Sequence, residues 1–181
     1  SDDSKTVTAY NAIGLYKWAE MATEDLTNNV VNLKLGDNIT LPTDGITLDA
    51  NGLPDKGNWT PVGINDSNAY YGSIDGNNKT ISNMYIVNTT NTSNYQGFLG
   101  NSDKVTIKDL KFDGAKIVVG KAGDDVGGGG YVGVISGFSK ANFEDCHITN
   151  STLKCLGLGA ASHTMGGLVG ALSPGSGFGK I

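Results

Sequence analysis

A unit of about 36 residues recurs in the second half of this chain, and few folds can carry such a unit. Tyr95-Gln96-Gly97-Phe98-Leu99-Gly100 lines up with Tyr131-Val132-Gly133-Val134-Ile135-Ser136 and with Met165-Gly166-Gly167-Leu168-Val169-Gly170, at offsets of 131 − 95 = 36 and 165 − 131 = 34. Counting on from Tyr95 and Tyr131, apolar residues fall at matching distances. Val105 answers to Ala141, Ile107 to Phe143, Leu110 to Cys146, Phe112 to Ile148, Ile117 to Leu153 and Val119 to Cys155. An earlier copy reads through Ile81, Met84 and Ile86, set under Ile107, Leu110 and Phe112 at an offset of 107 − 81 = 26. Repeats of this length bury their apolar faces by stacking on one another.

Spacing inside the unit gives its shape. Steps of two (105/107, 110/112, 117/119) put alternate residues on one face of a strand. The step of three from Ile107 to Leu110 cannot stay inward on a flat strand, so the chain must bend at Lys108-Asp109. Ser82-Asn83 and Glu144-Asp145 occupy the same place in their copies. Short strands joined by bends predict an all-β fold, a right-handed parallel β-helix with like residues stacked ~4.8 Å apart. A sandwich also has many short strands, but it does not predict matching columns at a fixed period.

The N-terminal part reads differently. Leu15, Trp18, Ala19, Ala22 and Leu26 form one apolar stripe at helical period, with Asn11 placed to cap it. Val31, Leu33 and Leu35 then alternate with polar residues, and Ile39-Thr40-Leu41 runs into Pro42, which is strand behaviour. The expected organisation is an N-terminal segment over residues 1–28 whose α-helix caps the stack, followed by the β-helix over 29–181. A helical cap would cover strand edges that otherwise invite polymerisation.

Composition supports this and removes several partners. Glycine supplies 27 of 181 residues, about twice the usual share, and all 13 basic residues are lysine. Asn numbers 18 against one Gln, and Asp 15 against three Glu, so short side chains that favour turns replace the long ones that favour helices. A net charge of −5 without arginine argues against nucleic acid and against an anionic membrane surface. No apolar run approaches the ~20 residues of a spanning helix, so direct membrane insertion is not expected.

Gly97-Phe98-Leu99-Gly100 and Gly167-Leu168-Val169-Gly170 resemble the bacterial GLUG repeat. So do Trp59-Thr60-Pro61-Val62-Gly63 and the stretch from Tyr71-Gly72-Ser73-Ile74-Asp75-Gly76 to Met84-Tyr85-Ile86. Leu15-Tyr16-Lys17-Trp18-Ala19, followed by Asp37-Asn38-Ile39-Thr40-Leu41, looks like the lead-in to such repeats. The resemblance covers roughly Leu15 to Ile181. It departs at Ser136, which stands where the second glycine of the middle copy is expected, and the last copy stops at Ile181 before its bend. Proteins of this family are mostly secreted or surface proteins of bacteria, including Bacteroidetes. They include adhesin-like proteins, and the repeat also lies beside the catalytic domain of peptidases that cleave immunoglobulin A. The resemblance implies an extracellular or outer-surface scaffold and brings no catalytic residues with it.

Asn83, Asp109 and Asp145 form the expected bend column, either a ladder of short polar side chains tolerant of left-handed backbone or a stack of acids for calcium. Two ionised Asp about 5 Å apart repel by roughly 3 kcal/mol at an effective dielectric of ~20, and the neighbouring Lys108/Glu144 pair eases that; the ladder is the preferred reading. Tyr85, Lys111 and His147 share an outward position in the aligned copies and are the candidate ligand contacts. Tyr70, Tyr71, Tyr85 and Tyr95 form a candidate sugar-stacking platform, although Tyr95 matches Tyr131 and Met165 in the repeat, which favours packing. His147 and His163 lack the spacing of a zinc motif, and Asp124-Asp125 before Gly127 reads as a loop. Cys146 and Cys155 fall in apolar columns and read as small buried residues, with a disulfide as the alternative.

No catalytic, cofactor or metal residue is assigned. Lyases built on β-helices use an Arg or Lys base beside calcium-binding acids, and hydrolases need clustered carboxylates over one groove, whereas this chain offers isolated Asp. The expected function is a non-enzymatic adhesion or interaction module meeting a host or bacterial surface protein or glycan. The alternatives are a glycan-binding or glycan-active domain, and an accessory domain of a larger secreted peptidase.

Overall fold

The computed structural model describes residues 5–24, 30–89, 95–120, 130–156 and 164–173. His163, Asp124-Asp125 and the end of the last copy lie outside them. Within them the chain is mostly β, with parallel sheets and one helix. It opens with β1 (Lys5–Ala9), α1 (Ala12–Glu24), β2 (Val31–Leu35) and β3 (Ile39–Thr40). After a long arm come β4 (Ile74–Asp75), β5 (Thr80–Ser82), β6 (Tyr85–Asn88), β7 (Tyr95–Gln96) and β8 (Leu99–Ser102). Next are β9 (Thr106–Lys108), β10 (Lys111–Asp113), β11 (Lys116–Val119), β12 (Tyr131–Gly133) and β13 (Ser136–Ser139). Last are β14 (Asn142–Glu144), β15 (His147–Thr149), β16 (Thr152–Cys155), β17 (Thr164–Gly166) and β18 (Val169–Leu172).

These strands form five sheets, ordered β1-β2-β4-β9-β14, β15-β10-β5-β3, β16-β11-β6, β17-β12-β7 and β18-β13-β8. Every pairing between these strands is parallel, and from β4 onward the chain visits the five sheets in the same order in each copy. The offset read from the sequence holds between the last two copies. Ile107 pairs with Phe143, Phe112 with Ile148, Ile117 with Leu153 and Val119 with Cys155, each 36 residues apart (143 − 107 = 36).

Inward columns make the core. Leu33, Ile74 and Ile107 stack on the first sheet, Ile39, Ile81 and Phe112 on the second, and Ile86 and Ile117 on the third, all buried. The helix packs against β1 and β2. Asn11 accepts a bond from the Gly14 N–H at 3.0 Å as its cap, and Leu15, Trp18 and Ala22 are buried under it. Trp18 stacks on Phe98 at 5.4 Å, and Phe98 stacks on Trp59 at 4.8 Å, so cap, arm and repeat share one aromatic cluster. The segment before the helix is more than a cap. β1 lies in the first sheet beside β2, a strand the alternation did not flag.

The bends fall where the steps of three placed them. Asn83, Asp109 and Asp145 all have positive φ, at 60°, 53° and 50°, a backbone region that Asn and Asp enter more readily than most residues. The register of the earlier copy differs from the expected one. Ile81 pairs with Phe112, not Ile107, at an offset of 112 − 81 = 31, because it belongs to the second sheet. Asn83 therefore leaves the column of Asp109 and Asp145. Ser82, Asp113 and Thr149 are partners, so Asn83 shares its corner with Gly114 and Asn150, which also have positive φ. Before Asp109 in the other column comes the Asn77-Asn78 turn.

Glycine packs backbone against backbone at the tight corner between β12 and β13 and at its copies. A Cβ on Gly137 would lie 2.6 Å from the Tyr131 carbonyl oxygen and 2.7 Å from the Gln96 nitrogen; one on Gly170 would lie 2.6 Å from the Gly137 oxygen. Leu99, Ser136 and Val169 are register partners, so Gly137 is the residue beside Gly100 and Gly170. The middle copy keeps its second glycine and carries one extra residue ahead of it. Ser136 is instead buried in a hydroxyl cluster, with Ser102 Oγ 3.2 Å from Ser136 Oγ and 2.7 Å from Ser139 Oγ. Met165 likewise pairs with Val132, one place from the expected Tyr131.

Gly137→Ala is expected to cost about 1–3 kcal/mol, since packed backbone has nowhere to move. Gly167, with nothing within 4 Å of its would-be Cβ, is the control. Urea titrations should show a lower midpoint for Gly137→Ala and none of that loss for Gly167→Ala.

Candidate functional site

Parallel stacking turns outward side chains into rows, and the first sheet carries two. One holds Thr6, Asn32, Thr106 and Asn142, with Ser73 beside β4. The other holds Thr8, Lys34, Asp75, Lys108 and Glu144, each paired in register with the next. Four charges thus alternate in sign on a ~4.8 Å pitch. Lys34 Nζ lies 3.9 Å from Asp75 Oδ2, with the two side chains 47% and 33% exposed, and Lys108 and Glu144 are exposed as well. Exposed pairs of this geometry contribute about 0–1 kcal/mol, so the row does little for folding. Lys34, Asp75, Lys108 and Glu144, with Thr6, Asn32, Ser73 and Thr106 of the other row, line an open groove of about 570 Å³ on the outer face. The sequence paired Lys108 with Glu144 but missed Lys34 and Asp75, because those rungs stand at 74 − 33 = 41 and 107 − 74 = 33 residues instead of 36.

The candidate ligand contacts are brought together only in part. Lys111 and His147 are register partners on the second sheet, next to Thr80, with His147 exposed and Lys111 half-buried. Tyr85 is elsewhere. It starts β6 on the third sheet, pairs with Lys116, and is 6% exposed, so it leaves the column of Lys111 and His147 and is covered where exposure was expected. An arm over residues 41–73 explains this. Asn58 and Trp59 donate their N–H groups to the Tyr85 carbonyl, Asn58 Oδ1 accepts from the Tyr85 N–H at 2.7 Å, and Lys116 Nζ donates to the Gly52 oxygen at 2.6 Å. The same Nζ lies 5.9 Å from the Tyr85 ring centre. Nothing periodic in the arm announces that it folds over the third sheet.

A second cleft, of about 340 Å³, lies between this arm and the third sheet, lined by Leu48, Leu53, Pro54, Val87, Val118 and Leu156 among others. Asp49 and Asp55 on its rim hold the arm's own turns. Asp49 Oδ1 accepts the N–H groups of Asn51 and Leu53, and Asp55 accepts both the N–H and the hydroxyl of Thr47. Both carboxyls are held below the ordinary range, Asp49 chiefly by the Leu53 N–H and Asp55 chiefly by the Thr47 hydroxyl.

The expected tyrosine platform separates. Tyr70 is buried and donates its hydroxyl to the Val31 oxygen at 2.9 Å, with burial raising its pKa. Tyr71 stays exposed. Tyr95 stacks on Tyr131 at 5.5 Å, and both rings touch Phe138 at 5.9 and 5.4 Å, giving a half-buried aromatic strip. Cys146 and Cys155 are both half-buried, and burial is the chief cause raising the Cys146 thiol. Among the described residues, no three or more His, Cys, Asp or Glu side chains gather to hold a metal ion, and no helix is long and apolar enough to cross a membrane. Comparison with family models, curated proteins and solved structures found no match.

A carboxyl with a lowered folded-state pKa contributes stability above its unfolded value and loses it as pH falls through the folded one. Acidification below ~pH 4 should therefore loosen the arm before the sheets. Hydrogen exchange should show the Asn51 and Leu53 amides losing protection while those of β10 and β11 keep it; protection unchanged down to pH 2.5 (about the limit of the assay) would contradict the clamp.

Proposed function

We propose that this chain is a non-enzymatic interaction module of the GLUG-repeat type, a right-handed parallel β-helix presented outside the cell. The alternating row Lys34–Asp75–Lys108–Glu144 in its groove carries the reading. Strands supply the spacing, the stack supplies repetition, and the charged side chains are scarcely used by the fold itself. Each contact along such a flank is weak. Many copies on one surface make attachment firm through effective concentration.

The Tyr95–Tyr131–Phe138 strip favours a second reading, a glycan-binding domain in which a sugar ring lies on the exposed part of the strip. The two readings use different residues and so can be separated.

Beads coated with the chain should be retained by bacterial or epithelial cell layers, and a Lys34→Ala/Lys108→Ala variant should lose at least half of that retention with its melting temperature unchanged. Equal retention of variant and wild type would count against the groove. Hits on a glycan array that vanish with Tyr131→Ala would favour the strip instead.

A further inference from the structure

The charged row is self-complementary, which deepens the interaction-face reading and rests on it. Read along the sheet, the signs are plus at Lys34, minus at Asp75, plus at Lys108 and minus at Glu144. Turn a second copy by half a revolution about an axis that lies just above the outer face, parallel to the strands and level with the midpoint between Asp75 and Lys108. Lys34 then faces the copy's Glu144, Asp75 faces its Lys108, and the remaining two positions repeat these pairs by symmetry. All four charges meet an opposite charge, on the same pitch, because both rows come from the same strand spacing.

Other occupants fit less well. A polymer of one charge sign would gain at two positions and lose at the other two, and a neutral polymer would offer none of the four an opposite charge. We propose that a second copy of this chain docks on the outer face of the first sheet about such a two-fold axis. Ten residues line the groove, against roughly 20–30 on each side of a standard stable interface. The contact is therefore transient in solution and becomes firm only between surfaces that carry many copies, as homophilic attachment requires. The net charge of −5 on each copy also opposes a permanent dimer.

Sedimentation of the whole chain from about 10 μM to 1 mM tests this, in the concentration range where contacts between small interfaces populate. Wild type should show reversible dimer at the upper end, and Lys108→Ala, which removes two of the four cross-pairs, should weaken it at least tenfold. Charge swaps are the sharper arm. Lys34→Glu/Lys108→Glu makes the row wholly acidic, and Asp75→Lys/Glu144→Lys makes it wholly basic. Each alone should stay monomeric, and an equal mixture should form a heterodimer at least tenfold tighter than the wild-type dimer. Wild type monomeric at 1 mM, with a mixture no more associated than its components, would overturn the proposal. If the bead retention above still depends on the row in that case, self-docking fails and the interaction face stands; if it does not, both fail.

Discussion

Carbonyl oxygens and amide nitrogens occupy the space where side chains would begin at Gly97, Gly133, Gly137 and Gly170. That close approach lets β12 turn sharply into β13, and the corresponding strands of the other copies do the same. Any larger residue would push the two runs apart and lose the register in which Ser136 meets Leu99 and Val169. Everything outside the corner depends on that register: the buried columns, the hydroxyl cluster around Ser102, and the charged row on the first sheet. Among the described residues, a large group of glycines stands where backbone touches backbone, and others (Gly114 among them) serve corners of positive φ.

Burial and exposure divide the work cleanly. Inward columns of Ile, Leu and Phe hold the sheets together, while the aromatic cluster of Trp18, Phe98 and Trp59 ties the cap and arm to the repeats. Outward rows contribute little to folding. Lys34 and Asp75 at 3.9 Å, exposed and half-buried respectively, are a loose pair, so selection for stability alone does not account for four alternating charges in one line. That surplus is the reason for assigning the face an external partner.

Much of this was legible because two copies of the unit keep the same length. Ile107 and Phe143, or Phe112 and Ile148, could be paired from spacing, and the step of three located the bends at Asp109 and Asp145. The earlier copies were misread where their lengths change. Ile81 went to the first sheet instead of the second, which carried Asn83 into the wrong corner and hid Lys34 and Asp75 from the row. Tyr85 is a different failure. Its strand position is outward-facing by alternation with Ile86, and only the aperiodic arm, anchored by Asn58 and Lys116, decides that it is buried. Local spacing sets which way a side chain points, but a distant segment sets whether solvent reaches it.

The register between successive copies is the central claim, and backbone contacts measured by nuclear magnetic resonance on the labelled chain test it most directly. Parallel-strand cross-peaks should join Ile107 to Phe143, Phe112 to Ile148 and Ile117 to Leu153 together, with Asp75 meeting Lys108. Cross-peaks in an antiparallel pattern between sequence neighbours such as β9 and β10, with those long-range contacts missing, would contradict the stacked arrangement and the charged row with it.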